Sequence, residues 1–118
     1  MNKGHVINAK IGYTTLGVED HGIMTFMIGM EWDGSGQGMG GYALDSWSKE
    51  QDKRVGHADS IMMIRDIIET VGVDSWEKLK GQYVRIVRES DSWSARIIGI
   101  GHIVEDKWCF LSDYFKKD

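Results

Sequence analysis

Ile61, Ile64, Ile68 and Val71 fall at i, i+3, i+7 and i+10, one apolar stripe at helical spacing. Met62, Met63 and Ile67 widen that face, and Gly72 stands where a left-handed C′ residue would end the helix. The spacing predicts one main helix over about 57–72. On either side the pattern is strand-like. Residues 5–18, HVINAKIGYTTLGV, are rich in β-branched and aromatic side chains. EDHG at 19–22 reads as a turn. Residues 23–32, IMTFMIGMEW, form a near-continuous apolar run of strand length, as expected of a central strand buried on both faces.

After the helix, DSWEKLKG offers a short second helix, with Asp74 and Glu77 at capping-box spacing. QYVRIVRE alternates Val84 and Ile86 against Tyr83 and Arg85, ESDS at 89–92 turns the chain, 93–104 reads as the return strand, and DKWCFL as a last strand or edge. YALDSW at 42–47 reads as another short strand pairing back as a hairpin, and residues 46–56, SWSKEQDKRVG, polar and charged, read as a mobile loop. Strands, one main helix, then strands predicts an α+β fold: a mostly antiparallel sheet with the main helix and the short second helix packed on one face. The 118 residues show no internal repeat or low-complexity linker and are one domain's worth of chain.

The formal charge of -4, with Lys and Arg scattered among acids and a terminal pair at Lys116 and Lys117, argues against a nucleic-acid binder. Cys109 is the sole cysteine, so no intrachain disulfide forms and a cytoplasmic location is expected. It lies between Trp108 and Phe110, which suggests a buried, inert thiol. Met1 is followed by polar residues, so no signal peptide is expected, and no apolar run approaches the ~20 residues of a membrane span. Five tryptophans and seven methionines supply core filling and contact surface.

DGSGQGMGGYALD at 33–45 holds five glycines within eight residues. Ordering glycine is entropically costly, so the run needs a reason. Gly36, Gly38 and Gly41 spell G-x-G-x-x-G, but no amphipathic helix follows, as a dinucleotide fingerprint requires. No Gly-Lys-Ser/Thr follows either. If the segment is extended, Gly34, Gly36, Gly38 and Gly40 share one face of bare backbone on which a flat partner can lie. If it is coiled, successive N–H groups form an anion-binding nest. A long hairpin turn is the structural alternative. Ser35 and Gln37 supply hydrogen bonds, Tyr42 or Trp47 a stacking ring, and Arg54 a charge for phosphate. The candidate ligand site is therefore Gly34, Ser35, Gly36, Gln37, Gly38, Gly40, Gly41, Tyr42, Trp47 and Arg54.

A second constellation joins Glu19, Asp20 and His21 with His102. Its chemistry would be general base catalysis. No His-x-x-x-His or Cys-x-x-Cys spacing supports a metal, and adjacent residues on one tight turn rarely converge on an ion. Ser35 does not match a nucleophile elbow. A binding protein without cofactor or metal is the stronger expectation than an enzyme.

LGVEDHGIMTFMIGMEWDGSGQGMGGYALD, VGVDSWEKLKGQYVRI and IGHIVEDKW together resemble a family of small proteins encoded by bacteriophages and prophages. The resemblance spans about two-thirds of the chain and brings no catalytic residues with it. It implies a protein made in the bacterial cytoplasm during infection, acting by binding. It would sequester a nucleotide signal through the glycine segment as a homo-oligomer. Alternatively, it would block a host defence protein by direct contact, the glycine segment then being a structural turn. A small hydrolase built on Glu19, Asp20, His21 and His102 is the third reading.

Overall fold

The computed structural model describes residues 4–115; Met1, Lys116 and Lys117 lie outside that range. Among the described residues the elements run β1 (His5–Val18), β2 (Met24–Trp32), β3 (Ser35–Ala43), β4 (Asp45–Ser48), β5 (Lys53–Gly56), α1 (Ala58–Val71), β6 (Tyr83–Arg88), β7 (Ile97–His102) and β8 (Trp108–Phe110). Two short 3₁₀ turns, Trp76–Leu79 and Leu111–Asp113, complete them. Six strands form one sheet in the order β3-β2-β1-β6-β7-β8, every neighbouring pair antiparallel. β4 and β5 make a separate hairpin. The fold is α+β, as the pattern of elements predicts.

The long first strand organises the molecule. His5–Lys10 pairs with β6, and Lys10–Val18 pairs with β2. The register slips between Ile11 and Tyr13, where a bulge bends the strand from one partner to the other. The sheet therefore wraps on itself. Phe26, Ile28, Met30 and Met39 from β2–β3 meet Val84, Ile86, Ile97 and Ile100 from β6–β7 in a single core, joined by Met63 and Ile67 of the helix. The free edge of β3 comes back against the start of β7, where Gln37 Nε2 donates to the Ala95 carbonyl at 2.9 Å. The five strands β1-β2-β3 and β6-β7 thus make a partly open Greek-key barrel. The helix packs against β7 and β8.

The helix ends as expected. Gly72 takes φ +94 and its N–H bonds the Ile68 carbonyl at 3.1 Å. Its buried face is rotated from the predicted stripe. Met63 and Ile67 are fully buried, whereas Ile61 is 65 % exposed. Ser60 and Thr70 complete the buried face, and polar residues of that kind are invisible to a hydrophobic count. The second helix is a single 3₁₀ turn. Ser75, not Asp74, is its N-cap residue, no capping box forms, and Asp74 pairs instead with Lys78 at 2.9 Å.

The segment expected to be a mobile loop is the β4–β5 hairpin, Asp45 facing Gly56 and Ser48 facing Lys53. It was missed because a hydrogen-bonded ion pair, not an apolar face, braces it. Arg54 donates to Asp45 Oδ1 through Nε at 2.9 Å and Nη2 at 2.8 Å, and to the Asp45 carbonyl. Among the described residues no helix is long and apolar enough to cross a membrane.

Candidate functional site

The glycine segment is extended. Asp33 (φ 46) and Gly34 (φ 76) form the two-residue turn between β2 and β3, with the two positive φ angles that a type I′ hairpin demands. β3 follows, with Met39 in the core and Gly36 and Gly38 exposed. The bare face is not one continuous platform. Met27 lies across Gly38, so that a Cβ there would meet its Sδ at 2.5 Å. At Gly40 the register breaks, φ reaches +129, and a Cβ would sit 2.7 Å from the Phe26 carbonyl oxygen. Gly40 and Gly41 serve a bulge. The G-x-G-x-x-G letters lie within an antiparallel hairpin, so they do not form the strand-to-helix cradle of a dinucleotide fold.

An extended strand also separates what the sequence grouped. Ser35 and Tyr42 are seven residues apart on β3, roughly 20 Å along the strand. Tyr42 stacks on Phe115 with centroids 4.6 Å apart. Trp47 is 57 % exposed on β4. Arg54 is held by Asp45, whose carboxyl it keeps below the usual aspartate range, with help from the Met24 N–H. Tyr42, Trp47 and Arg54 therefore stand apart from Ser35, Gly36 and Gln37, while Gly38 lies under Met27 and Gly40 and Gly41 form the bulge.

The acid–histidine cluster is not assembled either. Glu19 accepts the His21 N–H at 2.7 Å within the β1–β2 turn, and that bond lowers its pKa. Asp20 is exposed on the same turn. His102, at the end of β7, uses Nδ1 to accept the N–H groups of Val104 at 3.0 Å and Glu105 at 2.9 Å, bracing the turn to β8. Among the described residues no three His, Cys, Asp or Glu side chains group to hold a metal ion. Cys109 is buried beside Tyr114, which donates to Asp66. Burial pushes its thiol up to about 11.

What β3 does build is one wall of a groove. Ser35, Gly36 and Gln37 face the β6–β7 loop across a cavity of about 560 Å³, whose other wall is Arg88, Asp91, Trp93 and Ser94. The loop is held at both levels. At its base the Glu89 N–H donates to the Arg96 carbonyl at 2.9 Å, and Arg96 Nη2 meets Glu89 Oε2 at 3.0 Å. Inside, Arg88 Nη2 donates to the Ser92 carbonyl at 2.6 Å and to that of Trp93 at 3.1 Å. Arg88 is only 5 % exposed, its guanidinium lies 5.3 Å over the Trp32 ring, and among the described residues its Nε has no hydrogen-bond partner. A buried donor left without a partner costs about 1–3 kcal/mol. Trp93, at the loop tip, is 90 % exposed. A large apolar ring held out in water on a braced loop is the profile of a contact residue.

On the other side of Trp32 lies a second cavity of about 600 Å³, reached by Asn8, Lys10, Glu31, Asp33 and Tyr83 and again by Ser35. Gly34 also lines it, so of the residues read from the sequence Ser35, Gly36 and Gln37 reach the groove and Gly34 the second cavity. Trp32, Arg88, Asp91 and Trp93 were missed. Trp93 had a legible signal, a tryptophan within the polar run ESDSWSAR, the same signal that singled out Trp47. Arg88 had none.

Neither family models nor curated proteins nor solved structures give a match to this chain.

Proposed function

We propose that the protein is a non-catalytic binding module whose ligand is a small nucleotide, held in the groove between β3 and the β6–β7 loop. The observation that carries this reading is Trp93, an almost fully exposed ring beside a cavity of ligand size. A base stacks on Trp93, and such stacking is sequence-tolerant because every base has a π-face. Gly36 lets the ring approach bare backbone. Asp91 accepts from an exocyclic amino group, as carboxylates do at base edges. Arg88 supplies a fixed positive charge beneath the phosphate. Partly open Greek-key barrels of the OB type bind oligonucleotides over their second and third strands and neighbouring loops. That is an analogy of arrangement, and the groove here flanks the corresponding strands β2 and β3. On the resemblance to bacteriophage proteins, the ligand is a nucleotide signal of bacterial defence, and the module removes it from the host cytoplasm.

A second reading, a protein inhibitor of a defence effector, rests on a different observation. Among the described residues Glu31, Asp33 and Asp91 have no ion-pair partner, which suits a basic side chain from a partner protein.

Calorimetric titration with AMP, CMP, GMP and UMP tests the first reading. Trp93→Ala should weaken whichever nucleotide binds by about 5- to 150-fold, the equivalent of the 1–3 kcal/mol of a base–aromatic stack, without lowering the melting temperature. Equal binding by Trp93→Ala, or no binding of any of the four, refutes it.

A further inference from the structure

The two cavities are chemically matched. The one beside the β6–β7 loop has an aromatic ring (Trp93), a cation (Arg88), a carboxylate (Asp91) and a carboxamide (Gln37). The one beside β1 and β6 has Tyr83, Lys10, Asp33 and Asn8, with Glu31 as its one charged addition. Trp32 and Ser35 belong to both. In each half a cation lies over a ring: Lys10 Nζ is 5.9 Å from the Tyr83 centroid, and the Arg88 guanidinium is 5.3 Å from that of Trp32. Tyr83 is 61 % exposed, so both halves offer an open aromatic face. Each volume, about 600 and about 560 Å³, is within the range that holds one ligand-sized unit.

A ligand matching this surface has two similar units joined by a short link that passes Trp32 and Ser35. We infer that the groove binds a dinucleotide, one base against Trp93 and the other against Tyr83, with the linking phosphate at Ser35. This rests on the nucleotide reading above and deepens it. The charges set the size of the ligand. Two cations, Lys10 and Arg88, face three carboxylates, Glu31, Asp33 and Asp91. With carboxylates in excess over cations, the groove opposes a long polyanion, whose binding depends on many neutralised phosphates. The carboxylates are placed to accept from base amino groups.

The test compares AMP with the linear dinucleotide pApA and with cyclic di-AMP by calorimetric titration of the intact chain, and repeats it with the cytosine counterparts. A second base on Tyr83 should tighten binding at least 5-fold over the mononucleotide, the low end of a base–aromatic stack. Tyr83→Ala should abolish the advantage of the dinucleotide over the mononucleotide. The linear and cyclic forms separate an open link from a closed one; either binding tightly supports the inference. Dinucleotides no tighter than mononucleotides, or Tyr83→Ala weakening both equally, overturns it while mononucleotide binding through Trp93 still stands. Trp93-independent binding of both defeats the underlying reading instead.

Discussion

Two glycines four residues apart on the same strand should respond oppositely to one methyl group. At Gly40, φ is +129, a region that L-residues occupy at a cost of about 1–3 kcal/mol. The new Cβ would also lie 2.7 Å from the Phe26 carbonyl oxygen and 2.9 Å from its Cε2. Phe26 is fully buried, so neither atom can step aside, and overpacking of this kind costs about 1–3 kcal/mol more. Reduced chain entropy returns about 0.5–1 kcal/mol. Gly40→Ala should therefore destabilise by about 1–5.5 kcal/mol, which lowers the melting temperature by at least about 3 °C in a domain of this size. At Gly36 the φ is not left-handed and the nearest atom to a Cβ, the Met30 carbonyl oxygen, is 3.4 Å away. Gly36→Ala should leave stability unchanged or raise it by up to about 1 kcal/mol. Urea and thermal unfolding of both variants measure the difference. Gly40→Ala within about 0.5 kcal/mol of the parent, or Gly36→Ala falling as far as Gly40→Ala, would refute the division of the glycine segment into an open wall and a bulge.

Acid should loosen the β4–β5 hairpin. The folded-state pKa of Asp45 lies below the ordinary value of 3.8 because of its hydrogen bond to Arg54. Its stabilising effect is thus fully present above about pH 5 and lost as the pH falls through the lowered pKa. Arg54→Gln should shrink the drop in melting temperature between neutral and acid pH, and a drop identical to the parent's would remove the ion pair from the hairpin's support. Cys109, with its thiol at about 11, should be alkylated by iodoacetamide at pH 8 at least about a hundredfold more slowly in the native protein than in urea, from thiolate fraction alone. Equal rates would mean that the thiol is not buried beside Tyr114.

Local order was legible where one residue's conformation decides it. Gly72 closes the helix in the left-handed region; the Asp33–Gly34 turn between β2 and β3 was not read, because the whole glycine segment stood open between strand, nest and long turn. The strand runs were legible from β-branched and apolar patterning, and with a single helix between them they suffice for the α+β class. The groove was not. Its walls, Ser35–Gln37 and Arg88–Ser94, are more than fifty residues apart and meet only because β1 bends at its bulge to pair with both β2 and β6. Nothing in either segment alone encodes that pairing. Parity put Gly34, Gly36, Gly38 and Gly40 on one bare face, but it gave no sign that Met27 of the next strand would cover Gly38 or that the register would break at Gly40. Tyr42, Trp47 and Arg54 were grouped with the glycines by closeness in sequence, which an extended strand converts into distance.

The indole N–H signals of the tryptophans in a two-dimensional ¹H–¹⁵N spectrum, assigned with single Trp→Phe variants, test the groove most directly. Addition of pApA should move the signals of Trp93 and Trp32 and leave that of Trp47, out on the β4–β5 hairpin, where it was. Movement of Trp47 alone, or of none of the five, would contradict a nucleotide site between β3 and the β6–β7 loop.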